Sequence, residues 1–199
     1  MIQITNNFFK DPYSVRNKAL SLFKADFYTA DNWPGKRVVV PDNITSQLLS
    51  KVESITNDKL QSYQASFQVV DQSFMEGLVH CDKEHKYTCV VFLNLDAPSN
   101  TGTEIYSDRH GSFRCRRGII MDDYDPNKTK FYQSNRTFID KLVFQRTLNK
   151  VNPLFKDPCV VSNRFNRGVI FDSLLVHRAQ NFFGNKISNS RLTIASFLK

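Results

Sequence analysis

The sequence predicts an α+β fold that is mainly β, with helices packed on one side of a sheet system. Three observations carry this expectation. Two stretches in the first third of the chain repeat apolar residues at helical spacing. The remainder alternates at period two or runs continuously apolar. No repeat or linker divides the 199 residues, whose 41% hydrophobic content suffices for a buried core. We therefore expect a single domain, 1–199, with a helical buttress over 1–61 and a β core over 62–198 that carries an insertion at 107–150.

Residues 2–9 read as a short strand. Asp11 followed by Pro12 is a helix start, a capping acid ahead of a proline that needs no partner for its nitrogen. Val15, Ala19, Leu22 and Phe23 then give an amphipathic helix over 12–24. Residues 26–37 read as a loop around the single tryptophan, Trp33, whose indole either packs the turn or forms a pocket wall, with packing the preferred reading. Val38 to Val40 is a short extended piece. Thr45 or Asn43 caps a second helix, 45–56, with Leu48, Leu49, Val52 and Ile55 on one face.

From Ser62 the period changes. Tyr63, Ala65, Phe67 and Val69 alternate with polar residues as a half-buried strand. Residues 87–95 form a near-continuous apolar run, as in strands covered on both faces. Thr103 to Tyr106 reads as the next strand. Residues 107–136 are polar and without period, which in a compact domain suggests a lid or binding loop, and 137–148 reads as a helix. Residues 159–161 and 168–171 are short strands, and 191–198 is a final alternating one.

Charge and cysteines narrow the class. The net charge of +8 fits a solvated basic protein better than a nucleic-acid surface, because the longest basic cluster is Arg114-Cys115-Arg116-Arg117. The four cysteines, at 81, 89, 115 and 159, form no CxxC pair, so they do not frame a structural zinc site. The first residues have neither a basic nor an apolar leader region, and no apolar run reaches the ~20 residues that span a bilayer. A cytoplasmic protein with reduced thiols and no membrane partner is expected.

The chemistry-bearing stretch is Val79-His80-Cys81-Asp82. In extended backbone His80 and Asp82 share a face, and an imidazole with a carboxylate is two-thirds of the 2-His-1-carboxylate triad that holds non-heme Fe(II). His177 follows 95 residues after Asp82, then Arg191 and Thr193 on one face of the last strand. This order resembles the Fe(II)/2-oxoglutarate-dependent oxygenases, in their prolyl-4-hydroxylase-like branch, over about residues 62–198. His80-Cys81-Asp82 matches the family's His-x-Asp. Val91 to Asn94 with Gly102-Thr103-Glu104 resembles its Tyr-Leu-Asn and Gly-Gly-Glu, and 168–177 resembles the segment with the distal histidine. Arg191-Leu192-Thr193 resembles its Arg-x-Ser/Thr.

The resemblance implies a double-stranded β-helix, a cupin-like jelly roll. It implies catalytic and metal-ligating roles for His80, Asp82 and His177, and co-substrate binding by Arg191 and Thr193. Fe(II), 2-oxoglutarate and O2 are the implied cofactors, with ascorbate as a further candidate. The implied reaction is hydroxylation of a C–H bond, of a peptidyl proline first, with release of succinate and CO2. A protein, peptide or small molecule is the implied substrate. Phe92 stands where the family has tyrosine. Tyr87, Tyr63 and Thr88 are the candidates to replace that hydroxyl, with Tyr87 taken as cofactor-binding.

Other residues have blander readings. His85 and His110 read as surface histidines, Cys81 and Cys89 as core, and Arg109 and Arg178 as solvated. Glu104 reads equally as a structural acid or as support for the site. The Asp122-Asp123-x-Asp125 cluster lacks the glycine and terminal glutamate of a calcium loop. The alternative function is a non-catalytic jelly-roll module for nucleic acid or another acidic partner, which would bind with strong salt dependence.

Overall fold

The computed structural model describes residues 1–30, 33–60, 63–82, 85–109 and 138–199. In chain order its elements are β1 (Ile2–Thr5), α1 (Pro12–Ala25), β2 (Tyr28–Ala30), β3 (Trp33–Val39), α2 (Asp42–Thr56), β4 (Tyr63–Val70), β5 (Tyr87–Phe92) and β6 (Thr103–Arg109). There follow α3 (Phe138–Val151), β7 (Cys159–Val161), β8 (Gly168–Asp172), β9 (Leu175–Ala179) and β10 (Arg191–Leu198). The strands form a seven-stranded sheet, ordered β1-β8-β5-β10-β4-β3-β2, and a three-stranded sheet, ordered β7-β6-β9. Among the described residues every strand pairing is antiparallel. The fold is mainly β, a jelly-roll barrel buttressed by helices.

Alternation along the strands of the large sheet sorts most of their apolar side chains onto its two faces. Outward-facing Phe67, Val91, Ile170, Leu192 and Ile194 pack with Val15, Ala19 and Phe23 of α1 and with Ile44, Leu48 and Val52 of α2. Inward-facing Phe92, Val169 and Phe171 meet Ile105, Val161 and Leu175 of the smaller sheet. Burying a side chain of this size is worth about 1.5–3 kcal/mol. The two faces of the large sheet therefore hold the helices on one side and the second sheet on the other.

The start of α1 follows its sequence signal: the Asp11 carboxylate accepts the Ser14 backbone N–H at 3.0 Å, and Pro12 opens the helix. The start of α2 does not. The helix begins at Asp42 behind Pro41 without a side-chain cap. Neither Asn43 nor Thr45 caps it; the Thr45 hydroxyl instead donates to the Val40 carbonyl at 3.3 Å.

The loop expected over 26–37 is also corrected, for these residues include β2 and β3. Pairing of β3 with β4, from Lys36↔Val69 to Val39↔Ser66, overrides the Pro34-Gly35 turn signal. Gly35 permits it with a φ of +80°, and a Cβ there would collide with the Val69 backbone.

The 87–95 strand stops at Phe92. Beyond it Asn94 replaces the ladder, accepting the Leu192 N–H at 2.9 Å and donating to the Ser190 carbonyl at 2.7 Å. The expected 137–148 helix is present as α3, whose Phe144 and Leu148 pack with Val70, Phe74 and Phe182. His110, the Arg109 side chain, the Asp122–Asp125 cluster and most of the 107–150 insertion lie outside the described residues.

Candidate metal and co-substrate site

His80 and Asp82 do not lie in a ladder strand. His80 instead makes an isolated bridge to His177, the middle residue of β9. The bond is reciprocal: His80 N–H donates to the His177 carbonyl at 3.0 Å, and His177 N–H to the His80 carbonyl at 2.8 Å. Asp82 N–H donates to the Ser173 carbonyl at 2.9 Å. On the other side, the buried Asn152 side chain accepts the Val79 N–H and donates to the Gly77 carbonyl. The backbone around both histidines is thus fixed independently of any metal.

Their rings are oriented in the same way. Nδ1 of His80 lies 2.8 Å from the Leu78 carbonyl, and Nδ1 of His177 lies 2.9 Å from the Leu175 carbonyl. A carbonyl only accepts, so each Nδ1 carries a proton, and in the neutral ring Nε2 then presents a lone pair, while a protonated ring donates from Nε2 to Asp82. Those two nitrogens face Asp82: His80 Nε2 is 3.9 Å from Oδ1, and His177 Nε2 is 3.3 Å from Oδ2. One ligand atom from each of His80, Asp82 and His177 can be chosen so that all lie within 4.8 Å of one another. Ligands at about 2.1 Å and right angles around one metal lie about 3 Å apart, so the trio can hold an ion with small side-chain movements.

Electrostatics sets the protonation. Burial alone would raise the Asp82 carboxyl, but His177, its hydrogen bond, His80 and the Thr88 hydroxyl together hold it down to about 2. Thr88 Oγ1 donates to Oδ2 at 2.6 Å. Burial and the neighbouring His177 push His80 down to about 4 against the pull of Asp82. A carboxylate and a neutral imidazole are the forms that bind a metal.

Arg191 and Thr193 face inward from the start of β10. Arg191 is 4% exposed, and its guanidinium donates long bonds to the Thr101 carbonyl (3.3 Å) and Thr103 hydroxyl (3.4 Å) and lies over the rings of Phe92 and Phe182. Among the described residues no carboxylate pairs with it, and burial lowers its pKa to about 10. The buried Thr193 hydroxyl has no hydrogen-bond partner among the described residues. A fully buried cation without an anion and an orphaned hydroxyl on the same strand face suit a carboxylate ligand.

Tyr87 does not fit the co-substrate role expected of it. Adjacent strand residues point to opposite faces, so Thr88 faces Asp82 while Tyr87 packs in the helix-side core. Its hydroxyl donates to Asp58. The position opposite Thr193 in the ladder is Phe92, which has no hydroxyl to offer.

His85 is outside the metal-ligating trio, its ring packing on Phe197 at 5.3 Å. Arg178 is not solvated: it pairs with Glu104 at 2.6 Å and with Glu76. Glu104 also accepts from Tyr106 at 2.7 Å and from Gln180 at 3.1 Å, so it serves as a structural acid tying β6 to β9 beside His177. Trp33, read as packing the turn or, second, as a pocket wall, has its ring 5.8 Å from the His80 ring and 5.1 Å from Phe197, beside the trio.

Arg37 is the residue that sequence reasoning passed over. It is 3% exposed, donates to Ser66 Oγ at 3.1 Å, and stacks at 4.6 Å on Trp33. The only sequence signal was the alternation of Trp33, Gly35 and Arg37, hidden by the turn-like Pro34-Gly35.

Comparison with solved structures places this architecture among known folds. A prolyl-4-hydroxylase from Pseudomonas putida superposes with a TM-score of 0.58 at 10% identity, covering 100% of this chain and 91% of the other. SnoK, a non-heme alpha ketoglutarate dependent carbocyclase from nogalamycin biosynthesis, gives 0.60 at 15% identity, covering 100% and 79%. HygX from Streptomyces hygroscopicus, solved with nickel and 2-oxoglutarate bound, gives 0.54 at 12% identity, covering 99% and 82%. At these identities the likeness is one of fold. No curated protein sequence matches the chain. The sequence does match a family of unknown function, DUF6445, over residues 1–198, and the chain belongs to that family.

Proposed function

We propose that the protein is a non-heme Fe(II)- and 2-oxoglutarate-dependent oxygenase, acting as one domain over residues 1–199. The observation that carries the reading is the pairing of two features on the inner side of one barrel. One is a His-Asp-His trio with its lone pairs converged. The other is a buried guanidinium and an orphaned hydroxyl suited to a carboxylate. The fold likeness supports it.

In this reading His80, Asp82 and His177 hold the iron through Nε2, a carboxylate oxygen and Nε2. Arg191 and Thr193 receive the distal carboxylate of 2-oxoglutarate. When bound, iron with this co-substrate and O2 supplies the oxidising power to hydroxylate a C–H bond, and succinate and CO2 leave. The chain's own part is positional. The cross-strand bridge fixes the two imidazoles, Thr88 orients and keeps charged the Asp82 carboxylate, and Phe92 and Phe182 wall the guanidinium from water. A peptide or small molecule is the substrate, and a peptidyl proline is the first class to assay.

The test is succinate formation from 2-oxoglutarate with Fe(II) and O2, alongside metal titration of His177→Ala. Loss of one of three ligands is expected to weaken metal binding by about a hundredfold or more, since even residues behind the ligands contribute 10–100-fold. Unchanged metal affinity in that variant, or absent 2-oxoglutarate binding to the metal-loaded wild type, would sink the reading.

A further inference from the structure

The metal trio and the Arg191 pocket leave a second buried guanidinium unused. Arg37 donates through Nη1 to Ser66 Oγ, and its Nε and Nη2 are buried with no hydrogen-bond partner among the described residues. These two nitrogens share one edge of the guanidinium and offer parallel N–H bonds, the arrangement that grips both oxygens of a carboxylate. The plane is held by the Trp33 ring, 4.6 Å from Cζ. An arginine backed by an aromatic face and a serine, with its carboxylate-binding edge buried and unpartnered among the described residues, is pre-organised for one ligand shape.

Its place in the sheet aims it at the site. Arg37 pairs with Gln68, Gln68 with Thr193, and Thr193 with Phe92, so the four lie in one row across the large sheet. Two strand spacings put the Arg37 backbone about 10 Å from that of Thr193. Trp33 spans from the guanidinium to the His80 ring. Asp82 is near enough to act on Arg37 electrostatically, yet no carboxylate is paired with Arg37 among the described residues. Arg191 is a separate position, bonded to Thr101 and Thr103 and walled by Phe92 and Phe182.

Burying a cation without an anion costs stability, and Arg178 in this same chain carries two carboxylate partners. We propose that Arg37 recognises a carboxylate of the substrate to be oxidised, binding it side-on through Nε and Nη2 with Trp33 beneath and Ser66 behind. The substrate class is then a carboxylate-bearing molecule, and the carboxylate lies close to the carbon presented to the metal. The placement relative to metal and co-substrate rests on the oxygenase reading; the anion site itself does not.

Trp33 is the sole tryptophan, so its fluorescence reports on this site directly. The full chain, loaded with Zn(II) and saturating 2-oxoglutarate to fill the Arg191 pocket, is titrated with N-acetylglycine, its neutral amide and inorganic phosphate. The carboxylate is expected to change the emission saturably and the amide to leave it unchanged. Loss of a bidentate charged contact in Arg37→Gln should weaken N-acetylglycine by about ten- to a hundredfold. Arg37→Lys, which keeps the charge without the fork, should fall between and guards against a folding defect. Calorimetry should find 2-oxoglutarate affinity kept within about twofold in Arg37→Gln and lost in Arg191→Gln, the two sites being independent.

Equal carboxylate binding by wild type and Arg37→Gln, or no saturable response in wild type, overturns the proposal. So does phosphate binding tighter than the carboxylate, or loss of 2-oxoglutarate in Arg37→Gln, which would make Arg37 the co-substrate anchor. Wild type that binds N-acetylglycine through Arg37 but never 2-oxoglutarate would sink the oxygenase reading and leave the carboxylate site standing.

Discussion

Arg178 and Arg191 are both arginines of the barrel, and their surroundings are opposite. Arg178 has carboxylates on two sides, with Glu104 further held by Tyr106 and Gln180. Arg191 has a carbonyl and a hydroxyl at long range and no paired acid among the described residues. The first arrangement raises the arginine's pKa despite burial; in the second, burial lowers it to about 10. A charge that is neutralised within the chain serves the fold. A charge left without an anion at a stability cost is, in the proposed reading, kept for something the chain binds. Arg37 falls on the second side of this division.

The sharpest way to break the comparison is to replace each arginine by methionine. Arg178→Met leaves Glu76 and Glu104 without their cation and should destabilise the protein by about 2–4 kcal/mol, somewhat below a fully buried pair because all three side chains are part-exposed. Arg191→Met removes an unmatched buried charge, so the metal-free protein should be no less stable, while 2-oxoglutarate binding disappears. Urea denaturation of both variants checks this, and equal losses would erase the distinction.

A smaller effect concerns pH. His80 has a folded pKa of about 4, below its ordinary 6.5, so the unfolded chain binds the proton first. Stability of the metal-free protein should therefore fall as pH drops from about 6.5 towards 4. Asp82, held down to about 2, keeps its charge through that window, and its contribution is lost only in stronger acid. Thermal melts across this range should show a slope that His80→Gln reduces.

The smallest effect should come from Tyr87→Phe. Losing its bond to the part-exposed Asp58 should lower the melting temperature only slightly. The half-saturating concentration of 2-oxoglutarate should not move, because the hydroxyl faces the helices.

What the sequence revealed follows the range of the forces involved. Period-two alternation placed β4 and β10, and Asp11-Pro12 placed α1, because both signals are local. His80, Asp82, His177, Arg191 and Thr193 were legible through their order along the chain. Arg37 was not: whether an arginine is solvated or buried depends on β3 joining β4, and Pro34-Gly35 argued locally against a strand. Tyr87 was misjudged by one pleat, since the face of a strand covered on both sides cannot be read from a run of apolar residues. For Trp33 the less favoured of two readings, a pocket wall, agrees with its place beside His80, and the same local turn signal set the preference.

The position of β10 has a consequence for how the molecule forms. The strand sits between β4 and β5, which do not pair with each other. They flank a gap that only residues 191–198 fill, roughly a hundred positions further along the chain. Such distant pairing is slow, and until it occurs β4 and β5 each present an open edge. Assembly should therefore be gated by insertion of this one strand, whose arrival closes the sheet and delivers Arg191 and Thr193 in the same event. A chaperone that shields strand edges would act on the interval before that step.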